Sequence, residues 1–226
     1  MVLDAAEVKK LAADLGADLC GIAPVDRFGK APKGFHPGDV LSGCQSVVVV
    51  ALRFSHSTLE ARTTVPYTVV RNQLSAEVDR LSVRLARQLE ESGAVAVPVG
   101  AIGPDEYDAA TDRFRGIISL KHSAELAGLG RIGKNTLLIN DRFGNMIWLG
   151  AVITDAKLEA DPLAAYEACI EDCSLCRDSC PVGALDGELL DQRRCHEHAF
   201  GPLNGGEWRI KCNTCRKICP HCKGIY

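Results

Sequence analysis

The sequence has no long hydrophobic run and no strong excess of one charge, and both absences narrow what the protein can be. Its 226 residues contain no stretch of about 18 apolar residues, so we expect no membrane-spanning helix. The N-terminus has early acidic residues and no apolar core of the secretory type, which predicts a cytoplasmic protein. A formal net charge of −3 gives no indication of a generalised nucleic-acid surface.

Cysteine, by contrast, is present in unusual number. The chain has 11 cysteines, and the stretch 169–222 holds all of them except Cys20 and Cys44. In a cytoplasmic protein such a concentration indicates metal ligation more than disulfide bonding.

Residues 1–160 have the patterns of a domain that mixes helices and strands. Apolar residues at helical spacing predict helices over 4–15, 72–92 and 119–127, the first opened by a capping box of Asp4 and Glu7. Strands are predicted at 18–24, 46–54, 94–99, 136–140 and 146–154, the last two as a hairpin. This alternation is typical of the α/β or α+β class, and Pro98 favours an edge position for its strand.

Residues 161–226 have little apolar periodicity and form a second, small predicted domain. Such a short segment cannot easily bury enough apolar surface alone, and bound metal would supply the missing folding free energy. The part 193–226 holds seven Lys and Arg against two Asp and Glu. These charges either dock an acidic partner or offset anionic clusters.

The cysteines of this second domain form two groups that end alike, in x3-Cys-Pro. The first has the spacing C-x3-C-x2-C-x3-C-P, and the second has one cysteine upstream of C-x2-C-x3-C-P. In the bacterial ferredoxin run the fourth cysteine ligates the other cluster. The same rule predicts two [4Fe–4S] clusters, one held by Cys169, Cys173, Cys176 and Cys219 and the other by Cys180, Cys195, Cys212 and Cys215.

Structural zinc is the alternative for these thiols, because two C-x2-C pairs could form a Cys₄ site. Zinc would not explain the repeated x3-Cys-Pro ending. Cys20 and Cys44 are predicted core residues, and Cys222 is either a spare ligand or not a ligand at all. His196 and His198 are expected beside a cluster or on the surface rather than on iron.

The stretch AGLGRIGKNT, residues 127–136, fits two nucleotide-binding patterns at once, G-x-G-x-x-G and G-x-x-x-x-G-K. Both patterns require a strand before the glycines and a helix after them, and here the order is reversed. The stretch is therefore either a helix end with a turn or a loop that approaches another cofactor. In the second case the candidate cofactor-binding residues are Gly128, Gly130, Arg131, Gly133 and Lys134.

Several of these motifs together resemble the epoxyqueuosine reductase family, a relative of the corrinoid reductive dehalogenases. They are HSAELAGLGRIGKNTLLI, the cysteine run CSLCRDSCPVGAL, a separated RRC and CNTCRKICP, with LGADLCGIAP and SVVVVALRF near the N-terminus. The resemblance implies a nitroreductase-like α/β domain that binds cobalamin and a ferredoxin-like domain with two [4Fe–4S] clusters. It also implies reduction of the epoxide of a modified tRNA nucleoside.

The sequence departs from that family's pattern in three places. Arg131 stands where the family usually has Trp, and Phe114 stands where it has a proton-donating Asp. The chain also lacks a helical repeat after its cysteines, which suggests a shortened homologue. Asp112 and Tyr107 are the substitute proton donors that the sequence offers.

These departures lead to a prediction of an iron–sulfur oxidoreductase whose clusters reduce a cobalamin or a small-molecule substrate in domain 1–160. The alternative is an electron-transfer or reductive-activation protein without its own corrinoid, and a true epoxyqueuosine reductase ranks third. The predicted partner is a low-potential donor such as ferredoxin or flavodoxin, and tRNA is predicted to be unlikely as a partner.

Overall fold

The computed structural model describes residues 4–110, 113–202 and 206–225, with only the backbone described at positions 106, 108 and 113–115. The α-helices in these ranges are α1 (Ala5–Asp14), α2 (Pro37–Val40), α3 (Val65–Glu91), α4 (Leu120–Leu126), α5 (Leu175–Asp178), α6 (Gln192–Ala199) and α7 (Thr214–Lys217). The strands are β1 (Leu19–Pro24), β2 (Ser46–Arg53), β3 (Ala96–Val99), β4 (Glu106–Asp108), β5 (Arg113–Arg115), β6 (Arg131–Ile132), β7 (Leu138–Ile139), β8 (Ile147–Thr154), β9 (Phe200–Pro202) and β10 (Trp208–Ile210).

Helix α1 begins where its capping residues predict, whereas α3 begins earlier than its apolar pattern predicts. The predicted capping box on α1 is confirmed, because the Glu7 N–H donates to Asp4 Oδ1 at 2.8 Å and the Asp4 N–H donates to Glu7 Oε2 at 2.9 Å. Helix α3 begins at Val65, well before the predicted residue 72. Its first turns present exposed valines, Val65 and Val69, so the apolar stripe that marks the rest of the helix is not visible there.

A four-stranded sheet with the order β1-β2-β8-β3 forms the centre of the fold, and all its neighbouring strands are antiparallel. Strand β3 lies at one edge, which confirms the position predicted from Pro98. The predicted hairpin of 136–140 with 146–154 is wrong. Strand β7 pairs with β6, and β8 lies between β2 and β3. Strand β8 is almost entirely buried. Its backbone N–H and C=O groups therefore need hydrogen-bond partners on both edges, and a neighbouring strand on each side supplies them.

Helices cover both faces of the sheet. On one face α1 and α3 pack against β2 and β8 through Val8, Val78, Leu85 and Leu89, all 0% exposed. On the other face α4 and the chain that follows it contribute Ala124, Ala127, Leu129 and Leu138. Burial on both faces explains the uninterrupted apolar run SVVVVAL of β2.

The cysteine-rich segment packs on this sheet domain at several points. The Ile22 N–H donates to Asp161 Oδ2 at 2.9 Å, and the Arg27 guanidinium donates to the Asp161 carbonyl at 2.8 Å. Ile210 of β10 joins a small apolar cluster with Phe54 and Met146. Over the described ranges, no helix combines the length and the hydropathy needed to cross a membrane.

Candidate cluster site and adjoining cleft

The glycine stretch begins as the end of helix α4. Gly128 adopts a φ of +74°, its N–H donates to the Glu125 carbonyl, and the Leu129 N–H donates to the Ala124 carbonyl. This is the Schellman pattern of a helix C-terminus. Since the two-residue strand β6 follows at Arg131 rather than a helix, the stretch does not have the geometry of a nucleotide-binding loop.

The same loop then runs along the cysteine-rich segment. The Lys134 N–H donates to Cys169 Sγ at 3.3 Å, and Lys134 Nζ donates to the Cys173 carbonyl at 3.1 Å. The Asn135 amide donates to the Cys215 carbonyl at 3.3 Å. A side chain at Gly133 would stand 3.4 Å from Cys169 Sγ and 2.6 Å from Ile139 Cδ1. Gly133 and Lys134 therefore form a wall around the thiol of Cys169.

The other residues of this stretch have ordinary structural contacts. Gly128 and Gly130 are pressed against the carbonyls of Pro162 and Ile139, where no Cβ could be accommodated. Arg131 forms an ion pair with Glu125, with Nε and Oε1 3.6 Å apart.

The first set of thiols surrounds one small cavity, which is lined by Cys169, Cys173, Cys176 and Cys219 together with Lys134 and Pro220. Burial raises the pKa of Cys176, and the nearby thiols of Cys169 and Cys173 raise it further. Burial also raises the pKa of Cys219 to about 11, and Cys169 and Cys176 add to that shift. The four side chains are therefore close enough to act on one another electrostatically.

The thiols of the second set also shift one another's pKa values. Burial raises the pKa of Cys195, and the charges of Cys180 and Cys212 raise it further. Burial raises the pKa of Cys215 to about 11; neighbouring Arg216 opposes this shift, and Cys195 and Cys212 add to it. The charge of Cys176, which belongs to the first set, also raises the pKa of Cys215, so the two sets are neighbours.

The thiols and the backbone donors around them are compatible with iron–sulfur clusters. A zinc site gathers its sulfurs around one ion at about 2.3 Å each. Within the described part of the chain, no three His, Cys, Asp or Glu residues are gathered closely enough to hold one metal ion. A cubane holds its cysteines at outer corners, and backbone N–H donors to sulfur, such as those to Cys169 and Cys180, are typical of its surroundings.

Three thiols lie outside the two sets. Burial raises the pKa of Cys20 to about 12, and Cys44 is buried with its Sγ 3.7 Å from the Ser46 carbonyl. Cys222 lies beside Cys219 and packs against an apolar cluster of the sheet domain. Its possible role as a spare ligand stays a prediction.

A cleft lies next to the second set of thiols. It consists of two adjoining cavities of about 250 and 190 Å³ that share Ala101, Leu120 and Lys121 in their walls. The smaller cavity is also lined by Asn145 and Trp148, whose Oδ1 and Nε1 atoms are buried without a hydrogen-bond partner. Unpaired polar atoms in a cavity wall indicate a ligand that carries hydrogen-bonding groups.

Two cations line this cleft that the sequence motifs do not identify. Lys121 Nζ donates to the Thr136 carbonyl at 2.6 Å. Burial lowers the pKa of Lys121, as does the charge of Arg216, whereas Cys215 and Cys195 raise it. Arg216 and Asn145 are joined by two hydrogen bonds, one from the guanidinium and one from the amide to the other residue's carbonyl. The cleft thus adjoins the thiols of the second set.

In the sequence, the two candidate proton donors fall between Pro104 and Gly116, which line the larger cavity. Tyr107 lies on β4 with its side chain 51% exposed. Asp112 lies outside the described residues.

No protein-family model matches the chain, but individual proteins do. It is 35% identical over 130 residues to the epoxyqueuosine reductase of Pseudomonas aeruginosa, covering 53% of this chain and 35% of that protein. It is 26% identical over 254 aligned positions to that of Leadbetterella byssophila, covering 95% of this chain and 78% of that protein. The chain thus matches only about a third of the length of the Pseudomonas enzyme.

Solved structures give the same answer for the fold. The chain superposes on epoxyqueuosine reductase from Streptococcus thermophilus with a TM-score of 0.70 at 20% identity, covering 97% of this chain and 66% of that one. An epoxyqueuosine reductase solved with a modified tRNA stem loop has a TM-score of 0.62 at 22% identity, with coverage of 98% and 66%. A catabolic reductive dehalogenase reaches 0.67 at 20% identity, with coverage of 96% and 32%.

The resemblance predicted from the motifs is confirmed, and the fold is the mixed α/β architecture of these proteins. Two other predictions are wrong: the main function, with a cofactor or small-molecule substrate or a role in electron transfer alone, and the expectation that tRNA is an unlikely partner. The relatives are named as enzymes that act on epoxyqueuosine, and one is solved with a tRNA stem loop. A difference at one position, Phe114, counts for less than a similarity that extends over 95% of the chain.

Proposed function

Because this chain is a relative of the epoxyqueuosine reductases, we propose that it is a reductase of that kind, acting on an epoxide-bearing modified nucleoside in tRNA. The observation that carries the proposal is the similarity along 95% of the chain to a protein of that name. The thiol sets and the cleft beside them supply what such a reaction needs. Removing the epoxide oxygen consumes two electrons and two protons, leaves a carbon–carbon double bond and releases water.

We further propose that the two thiol sets each hold a [4Fe–4S] cluster. The first set would be Cys169, Cys173, Cys176 and Cys219, and the second Cys180, Cys195, Cys212 and Cys215. Each set combines thiols with a backbone N–H donor to sulfur, at Cys169 and at Cys180. This assignment includes the predicted division into an α/β domain, residues 1–160, and a ferredoxin-like domain, residues 161–226.

The cleft is the proposed site for cobalamin and substrate, in a sheet domain of nitroreductase-like architecture. A reductive dehalogenase structure similar to this one is described as B12-dependent. The unpaired Asn145 Oδ1 and Trp148 Nε1 atoms fit the amide-fringed edge of a corrin. When bound, clusters and corrinoid would supply low-potential electrons to the substrate.

The chain's own residues would position the reactants and supply protons. Lys121 reaches both cavities, and because burial lowers its pKa, Nζ releases a proton more readily than an exposed lysine does. The buried Arg216 is fixed by its two hydrogen bonds with Asn145 and keeps a positive charge beside the second thiol set. A tRNA substrate would be consistent with the cytoplasmic location that the sequence predicts.

The test is reduction of epoxyqueuosine in purified tRNA. Protein prepared without oxygen is incubated with that tRNA, cobalamin and dithionite, and the nucleosides are quantified by mass spectrometry. We expect queuosine to form with the natural protein and with Cys20→Ala, the matched control, and to fall below detection with Cys176→Ala and Cys215→Ala. Unchanged epoxyqueuosine with iron-loaded protein, when the Pseudomonas enzyme converts it in the same buffer, would overturn the proposal.

A further inference from the structure

Arg71 of helix α3 is a cation held between two tryptophans. Its Cζ atom is 5.8 Å from the ring centre of Trp148 and 5.4 Å from that of Trp208. Trp148 belongs to the wall of the cleft, whereas Trp208 is 45% exposed. Arg71 therefore joins the inside of the cleft to the protein surface.

The charge of Arg71 is not neutralised by the residues around it. In the ranges that the structure describes, no carboxylate oxygen lies within 4 Å of its guanidinium, and its Nε is buried without a hydrogen-bond partner. The Arg71 guanidinium donates a hydrogen bond to the neutral amide oxygen of Asn72 at 3.0 Å. A half-buried guanidinium without an anion is costly, and a phosphate group would satisfy it.

Aromatic rings continue outward from Arg71. The Phe200 ring stacks on Trp208 with centres 6.0 Å apart, and the His196 ring stacks on Phe200 at 5.0 Å, each pair with planes 24° apart. These separations are typical of offset stacking, and Trp208 keeps 45% of its surface exposed. His196, Phe200 and Trp208 thus form an aromatic row that leads from the surface to the cleft.

We propose that Arg71 and this aromatic row bind unpaired nucleotides of the RNA substrate, with bases stacked on the rings and a backbone phosphate at Arg71. The inference rests on the proposed function, since it names the surface that would guide a tRNA loop into the cleft. Stacked aromatic faces beside a cation are the usual means of holding single-stranded nucleic acid, and they require no particular sequence.

The charge of the region agrees with a polyanionic occupant. Residues 193–226 carry seven Lys and Arg against two Asp and Glu, whereas the whole chain has a net charge of −3. The two arginines at the start of α6 are partly offset by ion pairs with Glu197 and Asp191, but Arg71 is not. Arg71, which lies between the two tryptophan rings without a carboxylate partner, is therefore the expected phosphate contact.

The test measures binding of a fluorescein-labelled anticodon stem loop by fluorescence anisotropy, with a fully paired RNA hairpin as the comparison probe. We expect Trp208→Ala and Arg71→Gln each to weaken binding of the stem loop roughly tenfold. Arg71→Gln should also reduce the slope of log affinity against log salt by about one. Arg80→Gln removes an exposed charge from the same helix and should leave affinity within about twofold.

Trp208→Phe keeps a ring in place and should retain most of the affinity, which separates stacking from a general loss of structure. Because the chain has only two tryptophans, this variant also shows whether RNA quenches Trp208 rather than Trp148. Iron per chain and the melting midpoint are measured for every variant.

The outcomes separate this inference from the proposed function. If Trp208→Ala, Arg71→Gln and the natural protein bind and reduce tRNA equally well, and RNA quenches no Trp208 fluorescence, the aromatic row is not the RNA site although the proposed function stands. If the natural protein neither binds the stem loop nor reduces the tRNA, both are overturned. If Trp208→Ala and Arg71→Gln bind the stem loop more weakly and need a higher tRNA concentration for half-maximal turnover, the aromatic row is supported as the RNA site.

Discussion

The sheet domain and the cysteine-rich segment are held together by different interactions. Strands β2 and β8 are buried on both faces between two apolar layers. In the described part of 161–226 the large buried aliphatic side chains are Leu185 and Ile210, and helices α5 and α7 have four residues each. A short segment with so little core needs another source of folding free energy, and bound metal can provide it.

The largest expected effect comes from removing the metal. Iron chelation under reducing conditions should expose the amides of 169–222 to hydrogen exchange by orders of magnitude, because the thiol sets would lose what holds them together. Strands β2 and β8 should keep their protection. Hydrogen exchange with mass spectrometry on the iron-loaded and iron-free protein makes this measurement.

Cys44→Ala provides the control for that experiment, since its thiol lies in the sheet domain. It should retain iron and the same exchange pattern as the natural protein. If the amides of β2 and of 169–222 exchange equally fast after chelation, the two regions unfold as one unit. The metal would then stabilise the sheet domain as much as the cysteine-rich segment, contrary to our expectation.

A cavity in the sheet domain should have the next largest effect. Leu85 is 0% exposed between α3 and the sheet, so Leu85→Ala should lower the free energy of unfolding by about 2–5 kcal/mol. Val83→Ala on the same helix, where the side chain is 39% exposed, should lower it by less than about 1 kcal/mol. Urea unfolding of iron-free protein tests both.

The iron content of the folded Leu85→Ala protein is the informative control. We expect it to equal that of the natural protein, because the apolar cluster around Leu85 includes none of the eight proposed cluster ligands. A loss of iron as large as the loss of stability would show that the cysteine-rich segment depends on the packing of the sheet.

The smallest effect should come from the contact between the two regions. Gly133→Ala forces a methyl group against Ile139 and within 3.4 Å of Cys169 Sγ, which should cost about 1–3 kcal/mol. It should also change the electron paramagnetic resonance spectrum of one reduced cluster. Gly29→Ala is the matched control, because at a φ of −57° its Cβ would meet nothing closer than 3.9 Å. An unchanged spectrum with Gly133→Ala would argue against a cluster at Cys169.

Local chemistry made the elements of the sheet domain predictable. The capping box at Asp4 and the edge strand marked by Pro98 depend on neighbouring residues only, and both are found where expected. The pairing of β8 was not predictable, because strand partners are chosen by long-range packing rather than by sequence order. The start of α3 was missed because Val65 and Val69 face solvent.

The candidate site likewise has residues that the sequence predicts and residues that only the fold brings together. Cysteine spacing is a local signal, and it alone predicts which thiols share a cluster. Lys121, Arg216 and Asn145 are brought together from distant parts of the chain. Arg216 lies within CNTCRKICP, but that motif identifies only its cysteines as functional residues. Arg71 and Trp208 are separated by more than half the sequence, so their contact could be found only in three dimensions.

The exchange of cysteines between the two proposed sets also has a consequence for biosynthesis. The first set takes Cys173 and Cys176 from one end of the cysteine-rich segment and Cys219 from the other, and the second set is complete only with Cys215. During translation, neither set is whole until almost all of that segment has been made. If the two sets hold clusters as proposed, cluster insertion would follow the synthesis of the whole sheet domain.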